Sequence, residues 1–380
     1  MQIKILNFGP IKAFDFDLKK DLVMIFGKNN IGKSYGIYVV YLLVKTLLKS
    51  QRYVSTNVAV DNDKLQQAFL ADFQDAFYAT FENIDNITNR FSKKPMSLSL
   101  YTNVAELSIE VKDNQLVLTN ASLLTKIKND FPLDTIKQIY YLPAARFGIY
   151  QALSAFSAIF AELSKSRNVL RQKVEIPTLT DPVSDYFLGL SNLKINDIKV
   201  DKQILSLVEE IEQNIFKGEV IFNPELNKFF YKPSQTDLYL NFSLTSSMVS
   251  ELFPLVAYLK YIVASEPSLI FIEEPEAHLH PEAQVQLIEI LVKLVKVANV
   301  KLVVACHSDS IFNKTNNLII GGKIDIASTN AIVFEEAGEG SLAKALAIDE
   351  LGIDDDNFLE TAQKIYNEKL ELVEQLNEAT

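Results

Sequence analysis

Apolar residues along this chain fall into two rhythms, and the rhythms alternate. Residues 2–8 (QIKILNF) and 14–18 (FDFDL) alternate with period two, with Gly9-Pro10 turning the chain between them, which predicts two half-buried strands. Residues 21–26 (DLVMIF) form a short apolar run, as expected of a strand buried on both faces, and residues 35–49 (YGIYVVYLLVKTLLK) predict a long, largely buried helix. A helical stretch over about 63–91 places Leu65, Phe69, Phe73, Phe77 and Phe81 at every fourth position, a stripe that reads as packing. Residues 97–120 return to period two, with Asp113-Asn114 as the hairpin turn of a small antiparallel sheet.

Further along, 139–142 (IYYL) predicts a strand. Helices follow over about 150–173 and 198–217, separated by a linker at 176–183. Residues 218–223, 228–231 and 237–242 predict three more strands. A helix begins near SLTSSMVSEL (243–252) and runs to about residue 264. The last block is a buried strand, LIFIEE (269–274), an amphipathic helix (283–297) and a buried strand, VKLVVA (300–305). Strands interleaved with helices in this way predict an α/β fold.

Composition narrows the picture. The 380 residues are 48% hydrophobic, enough for a sizeable core, and no apolar run approaches the ~18 residues a membrane span needs. The first residues, MQIKILNFGPIK, lack a secretory hydrophobic region, and Cys306 is the sole cysteine, so a reducing cytoplasm is the expected compartment. Net charge is −11. From Asp349 onward ten acidic residues face two lysines, a net of −8, which leaves −3 for the rest. That balance argues against a broad nucleic-acid surface, and the acidic segment reads as a solvated helical face. Arg167 and Arg171 share one helical face and make only a modest basic patch.

Three stretches carry chemistry. IFGKNNIGKS (25–34) fits G-x-x-x-x-G-K-[ST] with Gly27, Gly32, Lys33 and Ser34, set between a predicted strand and helix. Such a loop turns backbone N–H groups toward a polyphosphate; Lys33 reaches the terminal phosphates and the Ser34 hydroxyl ligates Mg²⁺. Asn29 and Asn30 suit the tight loop, because asparagine tolerates left-handed backbone. In LIFIEE, Glu273 at the strand end is placed to hold Mg²⁺ and Glu274 to polarise a water for attack; two adjacent buried acids are costly without a cation. The third stretch, Ser246-Ser247 at a helix N-terminus, offers N–H and O–H donors to an anion, and Thr245 or Ser246 also serves as a plain helix cap.

His278, His280 and His307 all fall near these acids. H-x-H followed by proline is not a tetrahedral-zinc spacing, so the better reading has His307 reaching a phosphate from a neighbouring strand end, with HLH as a subunit-contact loop.

The order of phosphate loop, serine signature, Glu-Glu-Pro with HLHP, and strand-end histidine resembles the ABC-type ATPase head shared by SMC, RecF and OLD (overcoming lysogenisation defect) proteins. It is most similar to stand-alone prokaryotic ATPases carrying IEEPEAHLHP, here Ile272–Pro281, and ILNFGPIK and YLPAAR (Tyr141–Arg146) fit the same group. The resemblance implies an α/β ABC-type P-loop ATPase head with an antiparallel β lobe and a short helical insertion. Four segments are expected: 1–149, an N-terminal lobe with the phosphate loop and antiparallel sheet; 150–242, a helical insertion plus strands; 243–335, a catalytic lobe; and 336–380, an acidic helical tail.

The resemblance further implies ATP and Mg²⁺ as cofactors. Gly27, Asn29, Asn30, Gly32, Lys33 and Ser34 would surround the phosphates, with Ser34 and Glu273 on the metal, Glu274 as catalytic base and His307 as switch histidine. Ser246 and Ser247 would act on a partner's nucleotide in a homodimer or higher homo-oligomer, and Arg146 would sense phosphate. The implied role is a sensor or switch controlling a separate effector, a nuclease or toxin, in phage defence. A RecF-like DNA-binding repair factor and a non-hydrolysing scaffold are the alternatives; charge does not indicate DNA, and no membrane partner is expected. Met248 departs from the family, where glycine is usual, and points to slow hydrolysis. Gln138 and Gln151 both compete for the glutamine that accompanies the metal, and the residues after Asp309 are too few for a TOPRIM domain.

Overall fold

Successive residues of the central strands point into two different cores. The computed structural model describes residues 1–56, 61–89, 91, 94–126, 135–152, 179–191, 193, 201–338, 340–354 and 367–370. Its strands are β1 (Gln2–Phe8), β2 (Ile11–Asp17), β3 (Leu22–Gly27), β4 (Ser97–Tyr101), β5 (Glu106–Lys112), β6 (Gln115–Asn120), β7 (Gln138–Leu142), β8 (Gly218–Asn223), β9 (Lys228–Pro233), β10 (Ser268–Glu273), β11 (Val300–Ala305), β12 (Thr329–Glu336) and β13 (Ser341–Ala345). Eleven of them form one sheet in the order β6-β5-β4-β1-β2-β13-β12-β3-β11-β10-β7, while β8 and β9 make a separate hairpin.

Strands β12, β3, β11, β10 and β7 are mutually parallel. In β3, Val23 and Ile25 join one core while Leu22, Met24 and Phe26 join the other; β10 divides in the same way, Leu269 and Phe271 against Ile270 and Ile272. This is why these strands read as continuous apolar runs: a parallel sheet is covered on both faces. Helices Lys33–Thr56 and Asn62–Phe81 bury their apolar stripes in the first core; helices Lys202–Ile211, Ser247–Tyr261, Pro281–Val297 and Asp309–Ile320 bury theirs in the second.

The aromatic stripe behaves as packing. Leu65, Phe69, Phe73, Phe77 and Phe81 are all buried, and Phe77 and Phe81 meet Phe8 of β1 at ring distances of 6.2 and 5.1 Å. The helix is shorter than its periodicity predicts, because Glu82 takes a left-handed φ of 65° and stops it after Phe81.

The period-two segment at 97–120 differs from the expected separate sheet. Its strands β4, β5 and β6 extend the main sheet, β4 pairing with β1. Asp113 and Asn114, both at positive φ, make the turn between β5 and β6. The strand expected at 237–242 is reduced to a single bridge between Leu240 and Tyr231, because Asn241 caps a short 3₁₀ turn, Phe242–Leu244, that leads into the next helix. The helix expected at 150–173, with Arg167 and Arg171, lies almost wholly outside the described residues, as does most of the acidic segment after Asp354.

Candidate active site

Three parallel strands end together. Ile25 of β3 pairs with Ala305 of β11, which pairs with Glu273 of β10, and the chain leaves each strand through residues that carry chemistry: Gly27, His307 and Glu274. The carboxyl ends of parallel strands are where open α/β sheets place ligands. From β3 the chain enters a loop with φ of 135° at Gly27, 63° at Asn30 and 95° at Gly32, then the helix that starts at Lys33.

Glycine is required at both loop ends. A Cβ on Gly27 would sit 2.6 Å from the Phe334 carbonyl oxygen of β12, and one on Gly32 would sit 2.7 Å from Pro10 Cγ. Gly27→Ala meets both a backbone collision and a forbidden φ, so it is expected to lose roughly 3 kcal/mol or more. A thermal melt checks this: an unchanged midpoint means the loop relaxes without cost.

Lys33 is 7% exposed, and its ammonium donates to the loop's own carbonyls, Gly27 O at 2.8 Å and Lys28 O at 2.6 Å. It also lies 3.3 Å from His307 Nδ1. Burial pulls its pKa down to about 8 against the raising effect of Glu274 and other neighbours. His307 Nε2 is 3.5 Å from Glu274 Oε1 on its other side. His307, first as hydrogen-bond partner, holds the Glu274 carboxyl below its ordinary range despite burial. Lys33, His307 and Glu274 therefore form one contiguous row.

The backbone of Glu274 is unusual: φ is 44°, and its N–H donates to Ala305 O at 2.7 Å. That conformation turns the side chain out of the strand toward the cavity. Glu273 stays in the strand, 6% exposed; burial raises its pKa, and the neighbouring Ser34 hydroxyl works against that rise. A buried carboxylate beside a hydroxyl and a second acid is a hard-oxygen donor set that suits Mg²⁺. Among the described residues no group of three or more His, Cys, Asp or Glu is placed to hold a metal by itself, so phosphate oxygens and water would complete the shell.

A cavity of about 600 Å³ runs along this row. Asn29, Asn30, Gly32, Lys33, Ser34, Glu274 and His307 line it, and Gly9, Pro10, Tyr35, Asn86, Thr88 and Phe91 contribute the rest of its wall. Five expected residues, Gly27, Arg146, Ser246, Ser247 and Glu273, are not in that lining. Ser246 and Ser247 are exposed at the start of helix Ser247–Tyr261, where Ser246 caps the helix by accepting from Val249 N–H at 3.4 Å.

Arg146 corrects the phosphate-sensing expectation. It is 1% exposed and sits behind the strand ends, its guanidinium donating to main-chain carbonyls of Pro143, Glu251, Glu273 and Glu274. Sequence reasoning also missed Glu276, whose Oε1 accepts the His307 backbone N–H at 2.5 Å and so fixes the histidine's loop. The only signal was a third acid in the same loop. Asn86, Thr88 and Phe91 carry no motif signal, and periodicity places them in the predicted helix; in the fold this part of the wall is held in place by Gly9 N–H donating to Ile87 O and by a bridge from Phe8 to Thr88.

The chain belongs to the AAA ATPase domain family, whose profile matches residues 1–312. The family is one of P-loop ATPases that bind ATP with Mg²⁺, and the mixed α/β sheet with its phosphate loop is the corresponding fold. No curated protein matches the chain significantly. Among solved structures, an SMC head bound to the C-terminal winged-helix domain of ScpA is 13% identical with a TM-score of 0.44, covering 92% of this chain and 98% of that one. The SMC head domain from Thermotoga maritima is 12% identical with a TM-score of 0.41, covering 91% and 98%. An SMC head with an extended coiled coil, bound to the C-terminal domain of ScpA derived from Pyrococcus furiosus, is 14% identical with a TM-score of 0.42, covering 97% and 98%. Likeness at this level says nothing about activity or partners. Among the described residues no helix is long and apolar enough to cross a membrane.

Proposed function

We propose that the chain hydrolyses ATP in composite sites between two copies, and that the ATP-bound dimer is one state of a switch. The observation that carries this reading is the division of the machinery. Lys33, Ser34, Glu274 and His307 share one cavity, whereas the two serines at a helix N-terminus are exposed and outside its lining. A helix N-terminus with exposed serines suits an anion, and a partner's terminal phosphate is the one this chemistry fits.

In the proposed mechanism the terminal phosphates take over the Lys33 ammonium from the carbonyls of Gly27 and Lys28. The loop's N–H groups cradle the inner phosphates. Ser34 and Glu273 hold Mg²⁺, which when bound offsets the charge on the phosphoryl oxygens. Glu274, kept ionised by His307, accepts a hydrogen bond from the attacking water and orients it in line, while His307 donates toward the transferring phosphoryl group. Asn86, Thr88 and Phe91, which line the same cavity without charge, are left to face the base and ribose. Met248, partly buried just after the serines, limits how closely the helix end can approach, in keeping with slow turnover.

Sedimentation with Mg²⁺ and a non-hydrolysable ATP analogue tests the composite site. The parent is expected to dimerise; Ser247→Arg is expected to bind the analogue and stay monomeric. A parent that remains monomeric at saturating analogue removes the reading. The further role, control of a separate nuclease or toxin in an antiviral pair, rests on the motif resemblance. It is tested by capture on a tagged, ATP-loaded Glu274→Gln chain in its native host, where a near-stoichiometric nuclease or toxin is the expected result. Recovery of nucleic acid with no such protein favours a repair role instead.

A further inference from the structure

Arg146 is a fully buried cation that the proposed hydrolysis does not use, and its bonds lead to two different functional elements. Toward the catalytic strand, Nη1 donates to Glu273 O at 2.6 Å and to Pro143 O at 3.2 Å, and Nη2 donates to Glu274 O at 3.1 Å. Toward the helix that starts at the exposed serines, Nε donates to Glu251 O at 3.4 Å. A second path joins the same helix to the same arginine. Tyr258, in the helix, donates its hydroxyl to Tyr186 O at 2.8 Å, and Tyr186 donates its hydroxyl to Arg146 O at 2.9 Å. The two tyrosine rings are stacked, 5.3 Å apart and 10° from parallel. Gly189 makes this contact possible, since a Cβ there would fall 2.3 Å from the Tyr258 hydroxyl.

We infer that Arg146 is a positioning residue that couples the serine-bearing helix of a chain to the catalytic base of the same chain. The inference rests on the composite-site reading. In such a dimer the serines of one chain engage the nucleotide held by its partner, while Glu274 of that chain acts on its own nucleotide. Arg146 thus joins the two sites through a single buried group.

The geometry gives the coupling a direction. Glu274 sits at a φ of 44°, a conformation that persists only when its surroundings hold it. One of the holding bonds comes from Arg146. The bond from Arg146 to the helix is the longest of the four, so it is the one a small shift of the helix alters first. A helix drawn toward a partner's phosphate moves Glu251 O and Tyr258 together, and the guanidinium follows with the Glu273 and Glu274 carbonyls attached. Hydrolysis at one site then depends on occupancy of the other, which is a coupling between two distinct sites.

Steady-state turnover of Arg146→Lys tests this. Lysine keeps the charge and loses the planar fork that serves several carbonyls at once. The expected result is preserved melting temperature, preserved analogue-driven dimerisation and unchanged KM, with kcat lowered about tenfold and a Hill coefficient that falls from about 2 to about 1. A dimer of Arg146→Lys with the parent's kcat and Hill coefficient overturns the coupling alone. A parent that never dimerises overturns the coupling and the composite site together.

Mixed dimers test the same point without touching Arg146. A Ser247→Ala chain paired with a Glu274→Gln chain holds one locally complete site: its loop and base come from the first chain and its serines from the second. Coupling predicts that this pair turns over at least about fivefold more slowly per complete site than a parent chain paired with Glu274→Gln, because the active base belongs to the chain whose own helix is disengaged. Equal rates in the two pairs overturn the proposal.

Discussion

Glu274→Gln is expected to bind Mg²⁺ and ATP at least as tightly as the parent and to turn the nucleotide over about 10²–10³-fold more slowly. The substitution is nearly isosteric, and the backbone features that aim the side chain, the N–H bond to Ala305 and the Arg146 bond to its carbonyl, do not depend on the carboxylate. Binding is preserved because Lys33 and the loop supply the phosphate contacts, and removing a negative charge beside the terminal phosphate opposes binding less. Turnover fails because an amide cannot take the proton of the attacking water. The contact of the Glu274 carboxylate with His307 Nε2 is lost as well, so the histidine is released from one of its two charged neighbours. Rapid-quench measurement of phosphate release, with sedimentation to detect a trapped dimer, reads both halves of the prediction. Turnover at the parent's rate removes Glu274 from the base position. The next group to examine would then be Glu276, whose pKa burial raises and whose Oε1 already holds the His307 N–H.

Much of this site was legible because the chemistry imposes local patterns. Gly27 to Ser34 and Glu273-Glu274 are contiguous in sequence, and each must leave a buried strand, which itself shows as an apolar run. The registers of β3, β11 and β10 then bring them side by side. What the sequence concealed is of a different kind. Arg146 was read by analogy as a ligand contact, although one arginine after a strand carries no mark of where its guanidinium goes. In the fold it donates to the Pro143 carbonyl just before it and to carbonyls of Glu251, Glu273 and Glu274, which only tertiary packing brings near. Asn86 to Phe91 were assigned to a helix by periodicity, and Glu82, at positive φ, ended that helix and freed the segment to border the cavity. The strand at 237–242 failed for a similar reason: Asn241 competes for backbone N–H groups as a cap, and the local hydrogen bond to Ser243 N–H outweighed a second rung on β9.

Lys33→Ala is the substitution expected to remove nucleotide binding itself, with an affinity loss of at least about 10²-fold, the scale of one or two charge-assisted hydrogen bonds lost in a buried site. The reason lies in the state of the free protein. The ammonium is almost wholly buried, its charge is disfavoured by that burial, and it is compensated by two carbonyls of the loop, the edge of His307 and the nearby carboxylates, Glu274 first. A triphosphate supplies what the site lacks, full negative charge at hydrogen-bond distance, so most of the attraction is released on binding and none of it needs the chain to rearrange far. Removing the side chain leaves the loop's N–H groups and Ser34 intact, and the shape of the cavity with them. Loss of binding with a preserved melting temperature therefore isolates the charge. Titration calorimetry with ATP and Mg²⁺ reads the affinity, and a Lys33→Ala chain that binds within threefold of the parent would mean that the backbone cradle alone holds the phosphates. In that case Lys33 serves to pin the Gly27 and Lys28 carbonyls in the free loop, and the loss should appear in the melting temperature instead.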